Sequence, residues 1–124
     1  MAEIFFKICD NEHQTVPVNA QDKLGNTPLY LSLKSSHVQT FLLLMNGADP
    51  NLANAEGTTP LHIICQQYHN NDLAELFFYL NDVNQQTVQI KTQDKLGDTP
   101  LHLALCYGQK KAAYSLLRRG VIRI

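Results

Sequence analysis

Cysteine is scarce. Only Cys9, Cys65 and Cys106 occur in 124 residues. An odd number, widely separated, excludes a disulfide framework. There is no Asn-x-Ser/Thr sequon. Together these predict a reducing, intracellular setting, cytoplasmic or nuclear. Charge of one sign is also lacking: 10 Lys and Arg stand against 11 Asp and Glu. Duplex nucleic-acid binding draws on a surplus of basic residues, so that class is disfavoured. No apolar run approaches the ~18 residues needed to cross a bilayer. Met1 to Asp10 carries no basic stretch followed by an apolar one and a small-residue cleavage site, so no signal peptide is expected. Neither G-x-x-x-x-G-K-[S/T] nor G-x-G-x-x-G is present, so no phosphate cradle is expected. What the chain has is 44% hydrophobic and 17% charged residues. That composition builds a core, and the length fits one domain.

The sequence repeats itself. Thr27-Pro28-Leu29-Tyr30 returns as Thr59-Pro60-Leu61-His62 and as Thr99-Pro100-Leu101-His102, at spacings of 32 and 40 residues. A glycine precedes each Thr by two: Gly25, Gly57 and Gly97. Residues 2–33 match residues 74–105 at 18 of 32 positions, including Gln21 to Gly25 with Gln93 to Gly97. The Phe5-Phe6 and Phe77-Phe78 pairs share this register, one member of each expected in the core. The first residues therefore correspond to the second half of a repeat. The expected organisation is a trailing half-repeat over 1–21, then repeats over 22–53, 54–93 and 94–124.

Each repeat has a physical reading. The glycine supplies a turn. The Thr caps a helix N-terminus through its hydroxyl. The Pro takes the first helical position, where a missing N–H costs nothing. Leu61, Ile64, Cys65 and Tyr68 then share one helix face. A second helix follows, its buried stripe expected at Phe41, Leu44 and Met45; at Leu73, Leu76, Phe77 and Leu80; and at Ala113, Leu116 and Leu117. Gly47 and Gly120 act as stops. Helices this short need neighbours to cover their apolar stripes, and stacking provides them.

The pattern D-x-x-G-x-T-P-L-H, a helix pair, then G-A-D-x-N resembles the ankyrin-repeat family. It reads here as Asp22 to Tyr30 with Gly47 to Asn51, and again as Asp94 to His102. The resemblance implies an all-α solenoid of stacked helix pairs with β-turn fingers. The first repeat is one residue shorter than the family's 33, most simply between His37 and Gly47. The middle one is seven longer, with the surplus expected between about Leu80 and Asp94. Apolar ends (Ile4, Phe5, Ile8; Val121, Ile122, Ile124) differ from polar capping repeats. They suggest a fragment of a longer protein, ends covered by a partner, or self-association, with a short protein that has unusual caps as the rival explanation.

Chemistry is weighed against structure at each candidate. His62-x-x-Cys65 sets an imidazole one turn from a thiol, but Cys65 lies on an apolar face, where a thiol behaves as a small hydrophobe. The resemblance makes the T-P-L-H histidine structural and His69 likewise. The histidines at 13, 37, 62, 69 and 102 show no zinc-ligand spacing. No catalysis, metal or cofactor is expected. Lys110, Lys111, Arg118, Arg119 and Arg123 make the last repeat basic, an alternative site for a nucleic acid. Cations near a helix C-terminus are the plainer explanation.

What the resemblance leaves is surface. Family function is protein binding through projecting fingers and an inner groove. Carried over, the finger positions are Lys23, Leu24, Asn26, Ala55, Glu56, Thr58, Lys95, Leu96 and Asp98. The groove positions are Lys34, Ser35, Gln66, Gln67, Cys106 and Tyr107. Leu24 and Leu96 stand out as leucines at projecting tips, and Tyr107 as a residue type that anchors interfaces. An inhibitor that masks a transcription factor is an alternative within this class. Finally, Val88 and Ile90 alternate with polar neighbours from Gln85 to Thr92, as an extended strand would. The long connector is thus a secondary site.

Overall fold

The computed structural model describes residues 17–35, 37–67 and 73–120. Within them lie six helices: α1 Pro28–Leu33, α2 His37–Met45, α3 Pro60–Gln66, α4 Leu73–Val83, α5 Pro100–Cys106 and α6 Lys110–Arg118. No strand occurs among the described residues. The fold is all-α. The leading segment 1–16, with Phe5, Phe6 and His13, lies outside the described residues, as do Tyr68, His69 and the apolar end 121–124.

The local chemistry starts each inner helix. Thr27, Thr59 and Thr99 are N-caps in extended backbone, each accepting from the N–H three residues on. A proline follows each cap in the first helical turn. At Thr59 and Thr99 the histidine side chain returns a bond to the cap's own N–H, which closes a capping box. Tyr30 takes this place in the first repeat, and its backbone N–H alone serves the cap. Satisfying these orphan groups contributes roughly 0.5–2 kcal/mol per helix.

Contacts run in two layers. Inner helices α1, α3 and α5 pack in sequence, as do outer helices α2, α4 and α6, and each outer helix packs on the inner helix of its own repeat. One core threads all of them, from Leu29, Leu33, Leu43 and Leu44 through Leu61, Cys65 and Phe77 to Ala104 and Leu116. Each fully buried Leu or Phe contributes about 1.5–3 kcal/mol. A repeat alone could not close such a core, so the stack is the folding unit.

Two expectations about the outer helices need correction. Leu43, Leu44, Leu73, Phe77, Leu80, Ala113 and Leu116 are buried, but Phe41, Met45, Leu76 and Leu117 are exposed. The outer helices carry apolar residues on both faces, so their periodicity did not define which face turns inward. Length variation is also distributed differently. Matched main-chain bonds close α2, α4 and α6: Gly47 to Leu44, Gln85 to Asp82 and Gly120 to Leu117. Gln85 therefore occupies the glycine stop and has a positive φ of 59°. It lies 26 residues after Thr59, against 20 from Thr27 to Gly47 and 21 from Thr99 to Gly120. Five of the seven surplus residues thus fall between Thr59 and Gln85, and two in the connector after it. The residue missing from the first repeat comes from α1 and its turn, since α1 has 6 residues and α5 has 7.

Candidate functional site

Each finger is built by one side-chain oxygen. Asp22 Oδ1 accepts from the N–H groups of Leu24 and Asn26. Asn54 Oδ1 does the same for Glu56 and Thr58, and Asp94 Oδ1 for Leu96 and Asp98. These Asx turns fix the tips without help from the core. Neighbouring fingers then join through the main chain. Ala55 N–H donates to Leu24 O at 2.8 Å, and Lys95 N–H to Glu56 O at 3.0 Å.

The close approach of fingers explains two glycines, Gly25 against Ala55 and Gly57 against Asp94. Gly57 has φ +76°, and a Cβ there would stand 3.1 Å from Asp94 Cα. Only glycine combines that conformation with that proximity.

His62 ties its repeat to the next. It is completely buried. Its Nδ1 accepts from Thr59 N–H at 3.1 Å, and its Nε2 lies 2.9 Å from Asp98 O. A carbonyl only accepts, so Nε2 carries the proton. Cys65, one turn on, is buried, and burial pushes its thiol up to about 12. A protonated thiol beside an imidazole with both nitrogens engaged is a packing arrangement, not an activated nucleophile.

The concave surface carries a cavity of about 290 Å³ between the first two fingers and α1. Leu24, Asn26, Lys34, Ala55 and Glu56 line it, five of the residues expected from sequence. Three further residues were missed, Tyr30, Leu31 and Asn54. The signal for Tyr30 was present: it breaks the T-P-L-H pattern, and without an inter-finger bond to make, its ring faces the cavity. Lys34 Nζ sits 5.3 Å from that ring, a cation–π pair. Leu24 is 66% exposed at the rim.

The remaining expected residues are placed apart from this cavity. Lys23, Lys95 and Leu96 are exposed at finger tips, Leu96 at 87%. Thr58 and Asp98 are half-buried, with the Asp98 carbonyl held by His62. Gln66 is half-buried at the end of α3. Gln67 is tied inward instead, its Nε2 donating to Leu33 O at 2.7 Å across the repeat boundary. Tyr107 is half-buried against the core. Ser35 bonds Leu31 O, and Cys106 is exposed. In the basic last repeat, Arg118 meets Glu75 at 3.6 Å, and Arg119 pairs with Asp82. Both acids offset the positive field there. Among the described residues no helix is long and apolar enough to cross a membrane.

A family model described as ankyrin repeats in three copies matches residues 38–123. Among curated relatives, a probable serine/threonine-protein kinase of Dictyostelium discoideum is 31% identical over 105 residues, which is 83% of this chain and 12% of that protein. Rabankyrin-5 of Mus musculus is 31% identical over 96 residues, 77% of this chain and 8% of its own length. The target of rapamycin complex 2 subunit AVO2 of Saccharomyces cerevisiae is 33% identical over 103 residues, 81% of this chain and 22% of its own. The chain thus spans a minor part of each.

Proposed function

This chain belongs to the ankyrin-repeat family, and from that premise we propose that it binds a protein partner, without catalysis, through its concave face. Ankyrin repeats serve protein–protein interaction, so the finer question is where. The observation that carries the answer is the cavity between fingers one and two, where exposed Leu24 and Leu31 and the ring of Tyr30 meet the charges of Lys34 and Glu56. Apolar floor, aromatic ring and opposed rim charges form the kind of surface that takes a mixed protein epitope. Leu96 extends the same apolar character to the third finger. Asn26 and Asp98 accept bonds from the neighbouring repeat, Thr58 closes its own finger turn, and Lys23, Lys95 and Gln66 border the surface. Gln67 and Tyr107 support it from within. The exposed finger leucines are not part of the core among the described residues, which is why contact with a partner accounts for them best.

The test is affinity capture from lysate with the wild-type chain beside a Leu24→Ala, Lys34→Glu, Leu96→Ala variant whose circular dichroism matches. A protein retained by the wild type and lost from the variant supports the concave site. Equal retention by both rejects it.

A further inference from the structure

Among the described residues, the connector after α4 is anchored along one edge. Asn84 and Gln86 side-chain amides donate to Leu44 O and Gly47 O of the preceding repeat. The Asn51 side chain then acts as a strand would. Its Nδ2 donates to Thr87 O, and its Oδ1 accepts from Gln89 N–H, both at 2.7 Å. Exposure alternates from Gln85 to Thr92, with Gln86, Val88 and Ile90 half-buried and Thr87, Gln89 and Lys91 exposed. That period of two marks extended backbone. Successive residues of an extended chain turn their N–H and C=O groups to opposite edges. Thr87 and Gln89 face Asn51, so Val88 and Ile90 present theirs to the other side. Those groups have no hydrogen-bond partner among the described residues.

A groove of about 400 Å³ lies along this segment, lined by Phe78, Asp82, Gln86, Val88, Ile90 and Arg119 among others. An adjoining hollow shares Phe78, Asp82 and Arg119 with it and continues towards Tyr79. The Arg119 guanidinium lies 4.5 Å over the Phe78 ring and pairs with Asp82.

We infer that this groove binds an extended peptide segment of a partner protein, which adds as a strand to the free edge of Val88 and Ile90. Two N–H and two C=O groups, set on alternate residues, are matched together by another extended backbone. Phe78 is buried beneath Arg119 at the base of the groove, and the half-buried Val88 and Ile90 offer the apolar contact for one side chain. Arg119, on an exposed ion pair that exchanges partners at little cost, meets an acidic side chain in the segment. The site is separate from the concave cavity, so either reading can fail alone.

The probe is the peptide acetyl-Thr-Val-Glu-Val-Thr-amide at millimolar concentration against the nitrogen-15-labelled chain. In the free chain the Val88 and Ile90 amides exchange with solvent rapidly. On binding, both shift and slow about tenfold, the factor for one added hydrogen bond of about 1.4 kcal/mol, while Gln89 is unchanged. Two N-methylated peptides make the test independent of protein folding. Methylation of both valines, or of glutamate and the second threonine, leaves side chains intact. One of the two loses binding about tenfold or more, and the other retains it. The proposal is overturned if both methylated forms bind alike, or if no shift occurs at Val88 and Ile90. Slow exchange of those amides in the free chain overturns it too, since residues 121–124 or another part of the chain would then hold the edge.

Discussion

His62 and His102 hold the same place in the same motif, and the molecule treats them differently. Both accept at Nδ1 from the N–H of their own Thr cap, at 3.1 Å. That half of the arrangement is written in four consecutive residues and forms wherever they occur. The other half needs a neighbour. His62 Nε2 reaches Asp98 O in the next finger and is fully buried. His102 has no following finger among the described residues and is exposed. The motif therefore supplies a helix start locally and a repeat-to-repeat bond conditionally. In a linear stack the second is the term that couples units.

Substituting alanine at each tests this division. His62→Ala leaves the Thr59 N–H and the Asp98 carbonyl short of a partner in a buried place, and a destabilisation of roughly 2–4 kcal/mol is expected. His102→Ala removes a cap bond in solvent, roughly 0.5–1 kcal/mol. Urea midpoints measure both. Equal losses would mean that the bond to Asp98 adds nothing to stability.

The glycines sharpen the same comparison. Gly57 and Gly97 both have positive φ, 76° and 85°, but a Cβ at Gly97 meets nothing within 4 Å, while one at Gly57 meets the Asp94 backbone. Gly97→Ala carries only the left-handed cost of about 1–2 kcal/mol. Gly57→Ala carries that plus displacement of the third finger, for a total of about 2–3 kcal/mol. The displacement also predicts loss of protection at the Lys95 amide, which hydrogen exchange would register in Gly57→Ala and not in Gly97→Ala.

These pairs also show what was legible in the sequence. Caps, first-turn prolines and finger turns rest on neighbouring residues, so the repeat and its fold could be read directly. Side-chain direction on the outer helices could not. Phe41, Tyr79 and Tyr114 fall at equivalent, exposed positions of α2, α4 and α6, and apolar residues there mimic a core stripe. The lining of the concave cavity was partly visible. Leu24, Lys34 and Glu56 follow from finger and groove slots, but the inward tie of Gln67 to Leu33 depends on packing across repeats. The α3–α4 surplus was misplaced because the glycine stop is a glutamine in this repeat.

The position shared by Leu43, Asn81 and Leu116 gives a third comparison. All three are essentially buried. Asn81 Nδ2 donates to Phe77 O at 2.8 Å, while its Oδ1 has no partner among the described residues. Asn81→Leu replaces an unmatched acceptor with the side chain the flanking repeats use. A gain of about 1 kcal/mol is expected, read as a higher urea midpoint. A loss would show that the middle repeat is packed too closely for leucine.

The smallest effect concerns the cysteines. Cys65 and Cys106 differ as the histidines do, one enclosed by the stack and one open to solvent. In a Cys9→Ser chain at pH 8, a thiol reagent should modify Cys106 at once and Cys65 only after denaturant is added. The same contrast has a pH signature. Burial raises the Cys65 thiol from 9.0 to about 12, so the unfolded chain gives up this proton first. The stabilising share of Cys65 is complete below pH 9. It declines as pH rises towards 12, with a slope of at most about 1.4 kcal/mol per pH unit. Cys65→Ala should flatten that part of the alkaline decline, and Cys106→Ala should leave it unchanged. Matching slopes in the two variants would separate the alkaline behaviour from the core and remove thiol burial as its cause.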